Sequence, residues 1–265
     1  MFTWGREQFK EHGASSAIKL IVRVVWSRTK VQLANKLLAP TKRCPCCGWM
    51  GRRFYDYIEV GYMVRNSVCP QCDSHARHRA FYVWLLEIYQ IQNKKGTALV
   101  FAPERALLPL WEDAGQLKVI RIDIASARGV DVLASLENLP IASDSMDLIW
   151  CHHVLEHVQH DRRAIRELYR ALREFSGELI VSVPMDVGTS TDEYGFADPT
   201  MSGHWRMYGD DFAERLAESG LTVEARSYEL SSEDCRLFGV TPEQFFLCRK
   251  TGASHKTEAA SGWHR

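Results

Sequence analysis

The feature that most constrains this chain is an alternation. Short apolar runs at residues 97–102, 117–124, 146–151 and 178–183 are interleaved with helical patterns at 104–114 and 161–174. Apolar runs of this length bounded by turns read as buried strands, and strands alternating with helices build a doubly wound, mostly parallel α/β sheet. A short strand near Val130 and Val132, a helix at 210–219 and strands at 220–225 and 244–249 extend the pattern. Ligands of such sheets bind outside the carboxyl ends of the strands. Cys151, His152 and His153 end the run at 146–151 and fall where chemistry is expected.

The 265 residues suffice for one α/β core and a small accessory module. Lys and Arg (33) balance Asp and Glu (33), so no global field draws the chain to nucleic acid or to a membrane. The apolar stretch at 17–26 is interrupted by Lys19 and Arg23, has no small-residue cleavage site and is too short to span a bilayer. The expectation is a cytoplasmic protein with no transmembrane segment. Residues 1–40 read as a basic helical extension packed on the body, with a membrane-surface role as the weaker alternative, and the polar tail 251–265 reads as disordered.

In a reducing compartment the eight cysteines need an explanation other than disulfides. Cys44-Pro45-Cys46-Cys47-Gly48 and Cys69-Pro70-Gln71-Cys72 are two knuckles, each bringing a pair of sulfurs to one ion. Cys44, Cys47, Cys69 and Cys72 are therefore expected to bind structural zinc in a ribbon over residues 41–75, because four thiolates leave no open coordination position. Cys46 sits between the first pair and competes for its place; the remaining cysteines read as buried core residues. Arg52, Arg53, Arg77, His78 and Arg79 crowd the knuckles and make either a phosphate-binding patch or, preferred at neutral net charge, a solvated and structural face.

Leu139-Pro140-Ile141, the acidic turn Ser143-Asp144-Ser145 and the stretch 146–158, which breaks from a strand into a helix at His153-Val154-Leu155-Glu156-His157, resemble the fourth-strand region of class I S-adenosylmethionine-dependent methyltransferases. Adding Cys69-Pro70-Gln71-Cys72 with Arg77-His78-Arg79, the loop Phe101-Ala102-Pro103-Glu104 and His204-x-Arg206-x-Tyr208, residues 44–250 resemble a bacterial subgroup of methyltransferase type 11 proteins. The resemblance implies a seven-stranded Rossmann-like methyltransferase domain at 76–250, its last short strand returning in an antiparallel hairpin. It also implies S-adenosylmethionine as cofactor, held by Phe101, Ala102, Pro103 and Glu104 after the first strand, by Asp123 and Ile124 after the second, and by Ser135, Leu136 and Cys151. The first loop departs from the general Gly-x-Gly pattern, as is usual in the subgroup, and Ser135 stands where an aspartate often reads the adenine. Asp123 is the acidic strand-end group expected on the ribose hydroxyls, and Glu104 the partner of the methionine ammonium.

Methyl transfer needs a base only if the acceptor must lose a proton, and His152, His153 and His204 are the candidate catalytic groups. Residues 185–208 read as a lid carrying Arg206 and Tyr208 to the substrate, with Arg206 recognising an anion. A structural strand with period-two alternation at His204-x-Arg206-x-Tyr208 is the nearly equal alternative. A metal on the i, i+4 pair His153 and His157 beside Glu156 is disfavoured, because the sequence shows no third ligand pair. The expected partner is a small-molecule or glycan-related acceptor. A zinc-ribbon binding protein with a degenerate methyltransferase fold, and an RNA methyltransferase, are the alternatives, the latter weakened by neutral charge; the missing Gly-x-Gly-x-x-Gly disfavours NAD.

Overall fold

The computed structural model describes residues 2–58, 63–126, 129–241 and 243–250, with the side chains of the first helix described from residue 15 onward; the expected tail 251–265 lies outside the described residues. Two compact units emerge, neither contiguous in sequence. One comprises Met1–Ile91, Glu104–Leu110 and Tyr228–Glu243, the other Gln92–Pro103, Trp111–Ser227 and Gln244–Arg265, so the single segment expected at 76–250 is shared between them.

In chain order the elements are α1 (Phe2–Leu37), β1 (Lys42–Arg43), β2 (Met50–Gly51), β3 (Tyr55–Ile58), β4 (Met63–Val68), α2 (Ala76–Val83), β5 (Lys95–Phe101), α3 (Leu108–Glu112), β6 (Gln116–Asp123), β7 (Val132–Leu133), β8 (Leu148–His152), α4 (Asp161–Ala171), β9 (Glu178–Ser182), β10 (Asp192–Asp198), β11 (His204–Met207), α5 (Phe212–Ala217), β12 (Leu221–Ser227), α6 (Ser232–Phe238) and β13 (Gln244–Lys250). Helix α3 is shorter than the pattern at 104–114 suggests. Pro109 has no N–H to donate and disfavours helical geometry in the residue before it, which confines it to the first turn of a helix.

The second unit holds the sheet, in strand order β12-β13-β9-β8-β5-β6-β7. β5 to β9 run parallel, and β13 is antiparallel to both β9 and β12. Strand β8 is buried along its whole length, as its uninterrupted apolar character requires. The core combines Leu99, Ile122, Ile149, Leu168, Val181 and Phe246 from the sheet and α4. At the start of β5, Gly96 has φ 108°, and a Cβ there would lie 2.2 Å from Oδ2 of Asp147. That same oxygen accepts the Thr97 N–H at 2.8 Å, so the glycine lets β5 begin against its neighbour. The order reverses between β5 and β8, whose successors extend to opposite sides, and the crevice at that reversal is where open α/β sheets bind ligands.

In the first unit α1 lies on the β3–β4 hairpin through Leu20, Val24 and Val31, and Asn35 Oδ1 accepts the Arg52 and Arg53 N–H groups, each at 2.8 Å. Among the described residues no helix is long and apolar enough to cross a membrane.

Candidate functional site

A pocket of about 420 Å³ opens at the carboxyl ends of β5, β6 and β8, within the size range of small-molecule sites. It is lined by Phe101 and Ala102 from the end of β5, Asp123 and Ile124 from the end of β6, Ser135 and Leu136 beyond β7, and His153 just past β8. Ala102 takes the left-handed conformation, φ 43°, while its N–H bonds the Ile122 carbonyl at 2.9 Å. An alanine here does the turning that a glycine does in the general motif, at a cost of about 1 kcal/mol or more. His153 is also left-handed, φ 52°, with its N–H on the Ser182 carbonyl at 2.9 Å. Two strained residues at the ends of adjacent strands thus face one pocket. Asp123 Oδ1 accepts the N–H groups of Ile124 at 2.7 Å and Ala125 at 3.3 Å, which fixes the carboxylate and leaves Oδ2 for a diol. Ser135 Oγ accepts the Glu137 N–H at 3.2 Å, leaving its hydroxyl hydrogen to donate.

Other expected site residues are placed elsewhere. Pro103 and Glu104 do not line the pocket, and Glu104 Oε1 instead meets His78 Nε2 at 2.5 Å. Cys151 is fully buried in the sheet core, and burial, then the nearby Glu156 carboxylate, raises its thiol pKa well above the ordinary range. His152 is 3% exposed and its Nδ1 bonds the Ser182 hydroxyl. Neither Cys151 nor His152 lines the pocket. Arg206 and Tyr208, expected to meet the substrate, do not line this pocket either. Arg206 is 3% exposed: Nε donates to Glu193 at 2.8 Å, Nη1 to the carbonyls of Leu155 (3.2 Å) and Val158 (2.5 Å), and Nη2 to that of Gln159 (2.8 Å). Tyr208 is fully buried, with its hydroxyl 2.9 Å from Asp161 Oδ2, and burial followed by Asp161 raises its pKa. Asp161 also accepts Arg215 Nη1 at 2.7 Å. Burial alone would raise its pKa, but Arg215 and Arg206 outweigh that and hold it below the ordinary range. The segment 185–208 forms a β10–β11 hairpin, so His204-x-Arg206-x-Tyr208 is in part a strand.

The turn after β8 is a single 3₁₀ turn, Leu155–His157, rather than the expected helix. It brings His157 and Val154 to the pocket, and the β10–β11 hairpin adds Trp205. Period-two alternation in β11 was the available signal for Trp205, since it must point away from its neighbours Arg206 and His204. The His157 and His204 rings lie 4.7 Å apart, nearly perpendicular. Burial lowers the His204 pKa, opposed by Glu156.

Residues 107–180, from α3 through β9, match the family model described as a methyltransferase domain. That stretch is similar to a methyltransferase domain. Over 153 residues the chain is 25% identical to the uncharacterized methyltransferase YcgJ of Bacillus subtilis, a match covering 56% of this chain and 51% of that protein. The chain thus spans about half the length of this relative. Similar solved structures include an S-adenosylmethionine-dependent methyltransferase from Archaeoglobus fulgidus, 15% identical with a TM-score of 0.48 over 68% of this chain and 96% of that one. Another, from Mesorhizobium loti, is 15% identical with a TM-score of 0.46 over 59% of this chain and 91% of that one.

The cysteine cluster lies outside the residues matched to the methyltransferase domain. The sulfurs of Cys44, Cys47, Cys69 and Cys72 all lie within 4.8 Å of one another, with Cys44 to Cys72 at 3.6 Å and Cys47 to Cys69 at 3.7 Å. Four sulfurs on a tetrahedral ion at about 2.3 Å sit roughly 3.8 Å apart, so this donor set fits zinc. The knuckle turns close through Gly48 N–H to the Cys44 carbonyl (2.9 Å) and Asp73 N–H to the Cys69 carbonyl (3.1 Å). Beneath them Arg79 is fully buried, donating to the carbonyls of Ser67, Ser74, Phe238 and Gly239 and stacking 3.8 Å above Phe54. Arg79 is therefore a structural clamp and is withdrawn from any phosphate-binding patch.

Proposed function

We propose that this protein is an S-adenosylmethionine-dependent methyltransferase acting on a small-molecule or glycan-related acceptor, with Cys44, Cys47, Cys69 and Cys72 holding a structural zinc ion. The observation that carries the reading is the convergence of the Ala102 turn, the Asp123 carboxylate and the Ser135–Leu136 segment on one pocket at the sheet reversal. Asp123 Oδ2 accepts from the ribose hydroxyls, Ser135 donates to the adenine, and Phe101, Ile124 and Leu136 cover the apolar faces of the nucleoside. When bound, S-adenosylmethionine supplies a methyl group already activated on a sulfonium sulfur. The task left to the protein is to hold the acceptor in line and exclude water. His153 lines the pocket, with Nδ1 3.2 Å from Glu156 Oε1, and takes the acceptor proton where one must leave. Balanced net charge and the inward commitment of Arg79 and Arg206 favour a small acceptor over RNA.

Calorimetric titration with S-adenosylmethionine, followed by a metabolite and glycan screen with the methyl-labelled donor, tests this reading. Donor binding that depends on Asp123, with label transferred to a small acceptor, supports it. Absence of donor binding in wild-type protein would favour a binding protein on a degenerate methyltransferase fold.

A further inference from the structure

We propose that Glu156, His157 and His204 form a binding site for a divalent transition-metal ion at the edge of the donor pocket, separate from the thiolate cluster. One ligand atom from each of the three lies within 4.8 Å of the others. An ion at about 2.1 Å closes that span by drawing the side chains inward. Two imidazoles and one carboxylate suit zinc, iron, cobalt or nickel, and three protein ligands leave positions for an exchangeable ligand.

Burial points the same way. Glu156 is 1% exposed, yet among the described residues neither carboxylate oxygen has a hydrogen-bond donor, although His153 Nδ1 lies 3.2 Å from Oε1. His204 Nδ1 is likewise buried without a partner. Burying a carboxylate without hydrogen bonds costs several kcal/mol, and coordination to a cation removes that cost.

The surrounding structure holds the three groups in place. Glu156 and His157 sit on the 3₁₀ turn after β8, and the carbonyls of Leu155, Val158 and Gln159, which frame that turn, are all gripped by Arg206. Arg206 lies two residues after His204 on β11, so one strand supplies the third ligand and, through its neighbour, fixes the loop bearing the other two. The Tyr208 hydroxyl adds a contact to the Leu155 carbonyl at 3.3 Å. The two histidine-containing motifs thereby act as one unit, and the third ligand hidden in sequence comes from the other motif.

His157 also lines the donor pocket, so an ion held by it would lie at the edge of that pocket, within reach of an acceptor bound there. The following step rests on the methyltransferase reading. An acceptor hydroxyl coordinates the ion, its proton passes to His153, and the oxygen attacks the sulfonium methyl. The C–O bond forms as the C–S bond breaks, its electron pair stays on sulfur, and His153 releases its proton to water. The acceptor class implied is a hydroxyl compound, which fits a sugar.

Cobalt titration of the full-length, metal-depleted protein tests the site without donor or turnover. Thiolate-bound cobalt gives an intense near-ultraviolet charge-transfer band, whereas cobalt on nitrogen and oxygen gives only weak visible bands. Wild-type protein is expected to take up a thiolate-bound equivalent and then a second equivalent without the sulfur band. Glu156→Gln and His157→Gln should keep the sulfur band, which reports an intact fold around the cysteines, and weaken the second site by more than the roughly 10- to 100-fold typical of losing a group behind a ligand. Uptake of thiolate-bound cobalt alone in wild type, or a second site undiminished in both variants, would overturn the inference. If the second cobalt binds but S-adenosylmethionine does not, the metal site stands and the methyl-transfer reading falls; the reverse result removes the metal site alone.

Discussion

Replacing Arg206 with alanine separates two roles that the sequence alone left open. In the structure its guanidinium satisfies three backbone carbonyls and pairs with Glu193 while remaining 3% exposed. The Leu155 carbonyl keeps the Val158 N–H and the Tyr208 hydroxyl, so the carbonyls of Val158 and Gln159 bear the loss, about 1–3 kcal/mol each, and water entering the vacated space recovers part of that. The Glu193 side chain is 46% exposed, so its pairing is discounted heavily. The net expectation is a loss of about 3–5 kcal/mol, in the range for breaking a buried charged network. Urea unfolding at neutral pH measures it, and the loop carrying Glu156 and His157 should loosen in the same variant, so turnover falls together with stability. Arg206→Lys should recover only part of the loss, because a single ammonium cannot span three carbonyls. Unfolding free energy within about 0.5 kcal/mol of wild type, combined with a raised KM for an anionic acceptor, would refute the structural role and restore direct anion recognition.

Asp161→Asn should destabilise the protein at pH 7, because Asp161 is 4% exposed and accepts from both Tyr208 and Arg215. Its folded pKa is depressed, so its contribution is full above the unfolded aspartate value of about 3.9 and is lost as pH falls through the lower folded value; the gap between variant and wild type in urea should therefore shrink under acid. Cys72→Ser should lower zinc content by about one ion per chain and destabilise the knuckles, read by elemental analysis and chelator sensitivity; wild-type protein purified without chelator and lacking zinc would remove the ribbon assignment. Glu104→Gln should leave donor affinity within about twofold of wild type, since Glu104 is turned to His78; a tenfold loss in calorimetry, about 1.4 kcal/mol, would return it to the donor site.

The centre of the sheet was legible because β8 and β9 are nearly continuous apolar runs, the pattern of strands buried on both faces. Ala102 could be placed at the turn that ends β5, although its left-handed backbone could not be read from an alanine. What failed were statements about which way polar side chains point. Period two puts Arg206 and Tyr208 on one face of β11, but only the packed structure shows that this face is the interior, where Asp161, Glu193 and the loop carbonyls neutralise them. The same contacts bear on the missing helix after β8. Arg206 takes the carbonyls of Val158 and Gln159 and shares that of Leu155 with the Val158 N–H, and the segment forms a single 3₁₀ turn. Glu104 follows Ala102 closely in sequence, yet its carboxylate meets His78 rather than lining the pocket, a choice of direction that the sequence does not carry.

The pocket beside Asp123 is proposed to bind S-adenosylmethionine. Calorimetric titration of wild-type protein and the Asp123→Ala variant tests it most directly. One donor site is expected in the wild type, with a loss on the order of 1.5–3 kcal/mol, roughly ten- to hundredfold in affinity, when the carboxylate is removed and the ribose hydroxyls lose their acceptor. Equal affinity in the two proteins would contradict the ribose assignment, and no heat of binding in either would contradict the donor site itself.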